Sequence, residues 1–115
     1  MTSTEKAALL ASFADEIKAE EIETLDIREK TSMADYFVIC AGTSDRHVVS
    51  IADRVMEEMK AKKLRHLRVE GENSGWVLVD YGDVIFHVMR EEQRQFYDLE
   101  TFWKTKQPDP SVADS

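Results

Sequence analysis

The sequence predicts one α+β domain with about five strands flanked by helices. Three observations support this fold class. The apolar run 35–42 is typical of a strand that is buried on both faces. An apolar stripe at helical spacing follows over 48–59. Two alternating segments, 76–81 and 84–89, then flank a glycine-containing turn, which favours a β-hairpin.

The first predicted element is a helix near the N-terminus. Thr2 and Glu5 have the spacing of a capping box. Apolar residues follow at helical intervals, namely Leu9, Leu10, Phe13 and Ile17. The acidic cluster over 15–23 is expected on a solvated surface. Leu25 and Ile27 then alternate with polar residues, which predicts a short strand with one solvent-facing side.

Length and charge limit the classes of function. A chain of 115 residues is long enough for one domain with a hydrophobic core. Its 15 Lys and Arg residues against 23 Asp and Glu residues give a formal net charge of −8. This acidity argues against binding to nucleic-acid phosphate, DNA included. It suits a basic protein partner, although solubility alone would explain it equally well.

The cysteine content and the N-terminal segment indicate a cytoplasmic protein. Cys40 is the single cysteine and lies inside the apolar run, where a thiol usually acts as a small hydrophobe. No disulfide can form within the chain, as expected in a reducing compartment. The first six residues do not resemble a signal or transit peptide. No apolar run approaches the roughly 20 residues that span a bilayer, so we expect no membrane association.

The turn after the apolar run has two possible roles. Gly42 to Asp45 joins a strand to a helix N-terminus, where backbone N–H groups can hold an anion. A two-metal transferase site at such a turn needs paired carboxylates. Arg46 and His47 follow Asp45 instead, so the sequence favours a simple helix cap in which Thr43, Ser44 and Asp45 supply the capping chemistry.

The three histidines do not have the spacing of metal ligands. His47, His66 and His87 lie at a helix start, near a strand start and in mid-strand, so we predict no metal and no cofactor. The hairpin register predicted for a two-residue turn places His87 beside Trp76 and Leu78 on one face of the sheet. Asp80 shares that face, but a general acid–base role for His87 would also need a pocket. We therefore predict no catalytic residue.

The segment after the hairpin is predicted to form one helix or two short ones over 91–103. Its many aromatics, together with Trp76, exceed what a three-turn helix buries on one side, so some should contact the core and others a partner. Trp, Tyr and Arg are the residue types that dominate interface energetics. We predict a single domain over 1–104 and a disordered tail over 105–115.

Several ordered motifs over roughly residues 5 to 104 resemble the ribosomal silencing factor family, also called the Iojap family. The motifs are Asp35-Tyr36-Phe37-Val38-Ile39, Gly42-Thr43-Ser44, Glu70-Gly71, Gly75-Trp76 with Leu78 and Asp80-Tyr81-Gly82-Asp83, His87-Val88, and Arg94 with Phe96-Tyr97, Leu99-Glu100 and Trp103. Phe102 stands where we expected a leucine. This difference affects packing more than function.

The resemblance implies a fold and a function. Family members have a mixed sheet similar to that of nucleotidyltransferases but lack the catalytic acids, so an enzymatic role is not expected. They bind the large ribosomal subunit through a ribosomal protein on its subunit-joining face, number fourteen in the universal naming. There they keep the small subunit from docking and lower translation in starvation. Some organellar relatives assist subunit assembly, and free family members form homodimers.

Anchor-type side chains and carboxylates lie together at the edge of the predicted sheet and in the last helix. The expected partner-binding residues are Trp76, Asp80, His87, Arg94, Phe96, Tyr97 and Glu100. Two alternatives remain. A nucleotide-handling enzyme on the same fold would need a second carboxylate beside Asp45. A dimeric scaffold for an unrelated basic protein would need no ribosome.

Overall fold

A computed structural model describes residues 1–72 and 74–108 and confirms the α+β fold. Its five strands form one mixed sheet in the order β1-β2-β5-β4-β3. The elements are α1 (Ser3–Glu16), β1 (Glu20–Asp26), β2 (Tyr36–Gly42), α2 (Asp45–Ala61), β3 (Arg68–Glu70), β4 (Trp76–Asp80), β5 (Val84–Arg90), α3 (Glu91–Tyr97) and α4 (Leu99–Thr105). Within the described residues, no helix has the length and apolar character needed to cross a bilayer.

The pairing of the strands confirms the predicted hairpin register. β2 and β5 run parallel at the centre, and the other neighbours are antiparallel. In the hairpin, Leu78 lies opposite His87 and Trp76 lies opposite Met89. Because side chains alternate between the faces of a strand, this register places Trp76, Leu78 and His87 on the same face.

The two faces of the sheet are covered differently. Helices α1 and α2 cover one face, where Leu10, Val55 and Phe86 are fully buried. We call the opposite side the aromatic face. It is formed by Leu25, Phe37, Ile39, Ile85, His87 and Met89 in its interior, with Trp76, Leu78, Leu99 and Trp103 packed against them. Among the described residues, this face is covered by the short helices α3 and α4 and by Ile27 and Ala34 from the connection between β1 and β2, so its cover is thinner.

The central strand is buried along its whole length, as the sequence predicts. All seven residues of β2 are buried, including Cys40. Burial raises the pKa of the Cys40 thiol to about 12, so the side chain stays protonated and unreactive at neutral pH. The strand therefore contributes packing rather than chemistry.

Side-chain caps start both long helices where the sequence places them. Thr2 and Glu5 form the predicted capping box at α1. The Ser44 hydroxyl accepts a hydrogen bond from the His47 backbone N–H at 3.1 Å and caps α2. The turn after β2 therefore supplies the helix cap that its sequence favours, and Ser44 rather than its neighbours makes the bond.

Several boundaries differ from the prediction by a few residues. Strand β1 begins earlier than the alternation of Leu25 and Ile27 indicates, and it ends at Asp26, before Ile27. The C-terminal segment forms two seven-residue helices, separated at Asp98 by a left-handed backbone with φ of 44°. Helix α4 ends at Thr105, and residues 109–115 of the predicted tail lie outside the described residues.

Two glycines with positive φ allow a matched test of backbone crowding. Gly71 and Gly82 have φ of 78° and 90°. A Cβ atom at Gly71 would lie 2.1 Å from the Trp76 carbonyl oxygen, whereas at Gly82 the nearest atom would be 3.6 Å away. Position 82 therefore requires glycine only because of its positive φ. Position 71 requires glycine both for its positive φ and because a Cβ atom would collide with the Trp76 carbonyl.

We expect Gly71→Ala to destabilise the protein more than Gly82→Ala. The left-handed backbone alone costs about 1 kcal/mol, and displacement of the Trp76 carbonyl adds roughly 1–3 kcal/mol at Gly71. Urea unfolding followed by circular dichroism measures both changes in the free energy of unfolding. Equal losses in the two variants would show that the crowding at Gly71 relaxes without cost.

Candidate partner-binding surface

Seven rings form a continuous row across the aromatic face. Ring centroids are separated by 5.3 Å for Phe102–Trp103, 5.2 Å for Trp103–Phe37, 4.7 Å for Phe37–His87, 6.0 Å for His87–Trp76, 4.9 Å for Trp76–Tyr97 and 5.0 Å for Tyr97–Phe96. All these pairs are tilted or edge-on, which aromatic quadrupoles favour. We call this set the aromatic row.

The aromatic row is buried in the middle and open at both ends. At one end, Phe96 is 82% exposed and Tyr97 is 52% exposed. At the other end, Phe102 is 54% exposed. Trp76 is partly buried and links Tyr97 to the interior. Large aromatics that remain exposed on a rigid base are typical of a contact surface for another macromolecule.

His87 fixes the orientation of Trp76 from the interior of the aromatic face. It is 4% exposed, and its Nδ1 accepts a hydrogen bond from the Trp76 indole N–H at 3.2 Å. Accepting at Nδ1 requires a neutral ring with its proton on Nε2. Burial lowers the pKa of His87 to about 4, so the ring is neutral at physiological pH. His87 therefore supports Trp76 but is not itself accessible to a partner.

Arg94 is a buried cation that joins α3, α4 and β1. The residue is 7% exposed, and its Nε donates to the Glu100 carboxylate at 2.8 Å. Its guanidinium also lies 3.9 Å from Glu21 and from Glu23, on β1. These contacts keep the two short helices on the sheet, so Arg94 and Glu100 act through the position of the neighbouring aromatics.

A second contact fixes the end of α4. The Lys30 ammonium donates to the backbone carbonyls of Trp103 and Lys104. Free carbonyls at a helix C-terminus are satisfied in this way by cations. Lys30 and the Arg94 network therefore hold the two-helix cover on the aromatic face at both ends.

Asp80 belongs to a separate, more polar part of the surface. Its carboxylate accepts the Gly82 backbone N–H at 2.7 Å and pairs with Arg68 at 3.2 Å. Asp80 lies on the same face of β4 as Trp76, at the opposite end of the strand. It stabilises the hairpin turn and the edge of the sheet.

An acidic groove lies between β1 and the short helices α3 and α4. It has a volume of about 530 Å³ and is lined by Glu21, Ile22, Glu23, Glu91, Arg94, Gln95, Asp98 and Glu100. Five of these residues are carboxylates, and the single cation is already paired. The acidic groove is therefore a region of negative potential on α3, the helix that also carries Tyr97 and Phe96.

The structure brings most of the predicted site residues together, but in two roles. Phe96 and Tyr97 are exposed, with Trp76 beneath them, whereas His87, Arg94 and Glu100 support them from the interior. The prediction did not include Phe37, Trp103 and Phe102 in one row. No sequence signal links Phe37 on β2 to Phe102 and Trp103 on α4, because only the docking of α4 on the sheet brings them together.

The turn that a nucleotide-handling enzyme would use is occupied by other contacts. The Asp45 carboxylate lies 3.5 Å from the Arg90 guanidinium. Across residues 1–72 and 74–108, no group of three or more His, Cys, Asp or Glu side chains is arranged to hold a metal ion. The geometry therefore adds no support for two-metal chemistry at this turn.

The family of the chain is shown by a match over its full length. The model of the family described as "Ribosomal silencing factor during starvation" matches residues 1–115. The chain belongs to this family. A ribosomal silencing factor of Bacillus subtilis is 38% identical over 96 residues, covering 83% of this chain and 81% of that protein. The predicted resemblance is thereby confirmed.

Other relatives extend the family beyond bacteria. A mouse protein named "Mitochondrial assembly of ribosomal large subunit protein 1" is 30% identical over 109 residues, which cover 91% of this chain and 48% of that protein. A crystal structure of a Chromobacterium violaceum protein superposes with a TM-score of 0.88 at 34% identity, covering 95% of this chain and 92% of that one. The fold of this silencing factor family member is therefore shared with an experimentally determined relative.

We expect the stability of the wild-type protein to fall between pH 6.5 and pH 4 because of His87. The pKa of His87 drops from 6.5 in the unfolded chain to about 4 in the folded protein, so only the unfolded chain binds the proton in this range. Because protonation stabilises only the unfolded chain, the free energy of unfolding falls by about 3 kcal/mol as the pH drops across this range. Urea unfolding from pH 7 to pH 4 measures the loss.

His87→Asn is the matched control for this pH dependence. Asn does not titrate, and its Oδ1 can accept from Trp76 in place of Nδ1. Carboxylates titrate alike in both proteins, so the difference between the two pH profiles isolates His87. Parallel profiles would contradict the assignment of a neutral, buried imidazole.

We expect Arg94→Met to cost about 3 kcal/mol of unfolding free energy, because it leaves the Glu100 carboxylate half-buried without its partner. Arg54→Met is the control, since the exposed Arg54–Glu58 pair contributes at most about 0.5 kcal/mol. Chemical denaturation compares the two variants. Similar small losses would show that Arg94 does not hold the C-terminal helices.

Proposed function

We propose that the chain binds the large ribosomal subunit through its protein number fourteen, blocks docking of the small subunit and thereby represses translation. The observation that carries this proposal is that α3 bears both the exposed rings Phe96 and Tyr97 and one wall of the acidic groove, in a chain of the silencing factor family. Occupying a contact surface needs no catalytic group. The fraction of large subunits that is blocked then depends on the concentration of the protein and on its affinity.

The exposed end of the aromatic row has the properties of an interface centre. Phe96 and Tyr97 offer large, rigid apolar area, and Trp76 supports them on a strand of the sheet. Aromatic anchors of this kind carry most of the free energy of binding at protein interfaces. A standard interface needs only about 800 Å² per partner, which a surface of this kind can supply.

The acidic groove supports a basic partner. Ribosomal proteins are generally basic, and the groove is lined by the carboxylates of Glu21, Glu91 and Asp98, the last directly after Tyr97 in sequence. Charges at the rim of an interface accelerate association and select orientation more than they add affinity. The two features together favour a basic protein surface with an apolar centre.

Two further parts of the proposal rest on the family. We propose that the free protein forms a homodimer and acts in the cytoplasm. A role in assembly of the large subunit is the second candidate function, favoured by the name of the mouse relative. Silencing and assembly would both use binding to the large subunit, so one binding surface serves either function.

We expect Tyr97→Ala to weaken binding to large subunits by about tenfold or more, as for an interface hot spot. Phe102→Ala is the matched control, because the two side chains are 52% and 54% exposed but lie at opposite ends of the aromatic row. Both variants should stay folded. Cosedimentation with purified large subunits in sucrose gradients measures the difference.

The same gradients test the proposal as a whole. The protein should travel with free large subunits and not with intact ribosomes. Equal cosedimentation of Tyr97→Ala and wild type would place the contact elsewhere on the molecule. Concentration-dependent thermal stabilisation by nucleotide with magnesium would instead revive the nucleotide-handling alternative.

A further inference from the structure

The chain carries one strongly basic segment, residues 60–68. Five of the 15 Lys and Arg residues fall within these nine positions, and none of the 23 acids does. They are Lys60, Lys62, Lys63, Arg65 and Arg68. All five are exposed, at the end of α2 and in the loop that leads to β3. We call residues 60–68 the basic segment.

Contacts within the protein do not account for most of these charges. Arg68 pairs with Glu70 and Asp80. For Lys62, Lys63 and Arg65, no acidic side chain among the described residues lies within 4 Å. The helix dipole explains Lys60 in the last turn of α2, but its effect fades beyond that turn.

The backbone holds Lys63 in a conformation that glycine would adopt more easily. The Leu64 N–H donates to the Met59 carbonyl and the Lys63 N–H donates to the Lys60 carbonyl, which is the Schellman arrangement. Lys63 therefore occupies the left-handed position, with φ of 64°. A lysine here costs stability relative to glycine, and it gains no ion pair among the described residues in return.

Lys18 provides a natural comparison within the same chain. It ends α1 with φ of 63°, and the hydrogen bonds from Ala19 to Ala14 and from Lys18 to Asp15 repeat the same arrangement. The surroundings differ, because Lys18 follows Asp15 and Glu16 and precedes Glu20 in sequence. The two lysines share a backbone conformation, but only Lys63 belongs to a basic cluster.

We propose that the basic segment contacts the phosphate backbone of ribosomal RNA when the protein is bound to the large subunit. This inference rests on the proposed function. A basic segment is repelled by ribosomal proteins, which are generally basic, and is attracted by RNA phosphate. The Schellman turn presents the charges on a fixed backbone, which lowers the entropy cost of binding.

A backbone hydrogen bond links the basic segment to the strand that carries Trp76. The Leu67 N–H donates to the Asp80 carbonyl, so the basic segment meets β4 at the end opposite Trp76. Five strand residues span roughly 13 Å between their terminal Cα atoms. The acidic groove would then face protein while the basic segment faces RNA.

The matched pair Lys63→Gly and Lys18→Gly tests the proposal without loss of folding. Both variants should raise the melting temperature, because glycine relieves the left-handed strain. Only Lys63→Gly should weaken binding to purified large subunits, by about fivefold at 0.1 M salt. It should also lower the slope of log K against log salt concentration by about 0.7–0.9, the value for one phosphate contact.

A stronger test removes three charges and identifies the contacted molecule. Lys62→Gln, Lys63→Gln and Arg65→Gln combined should reduce the salt slope by about two. The control that combines Lys18→Gln, Arg46→Gln and Arg54→Gln changes the net charge equally and should retain the slope. A photoreactive side chain in place of Arg65 should crosslink to ribosomal RNA on the large subunit.

Three outcomes separate the two proposals. If wild type fails to bind large subunits, the proposed function fails. If wild type binds but Lys63→Gly matches Lys18→Gly in affinity and salt slope, only the RNA contact is overturned. A crosslink from position 65 to ribosomal protein alone also overturns the RNA contact and leaves the proposed function intact.

Discussion

The parallel pair of β2 and β5 is the constraint on which the rest of the fold depends. Nearly every residue of both strands is buried, so both faces of the sheet must be covered. Helices α1 and α2 cover one face with long apolar stripes. Within the described residues, the other face has two seven-residue helices and part of the β1–β2 connection, so large rings and the buried Arg94 complete its cover. Because this cover is thin, the rings of Phe96, Tyr97 and Phe102 remain exposed at its edges.

This arrangement links stability to the proposed binding surface. Isolated seven-residue helices are not stable in water, so α3 and α4 depend on the Arg94 network and on Lys30 for their position. Tyr97 and Phe96 lie on α3 and are placed by the same contacts. A side chain can therefore matter for binding without touching the partner. His87 and Arg94 belong to this class because both are buried.

The distribution of charge carries more information than the net charge. A formal charge of −8 argues against contact with nucleic acid if the charge is taken as uniform. The folded chain instead separates an acidic groove beside α3 from the basic segment beyond α2. Electrostatic attraction acts over about a Debye length of 8–10 Å, so a local cluster can bind a polyanion on an acidic protein.

The sequence by itself determined the α+β class, the buried central strand, the helix caps and the register of the hairpin. These features depend on local periodicity and turn chemistry, which are set by residues that lie close together in sequence. Only the tertiary structure decided that Phe37, His87 and Trp103 share one row and that Arg94 is buried against β1. Those contacts join residues far apart in the chain, and they depend on how two short helices dock on a sheet. Local pattern cannot specify such docking, because each short helix presents aromatics on more than one side.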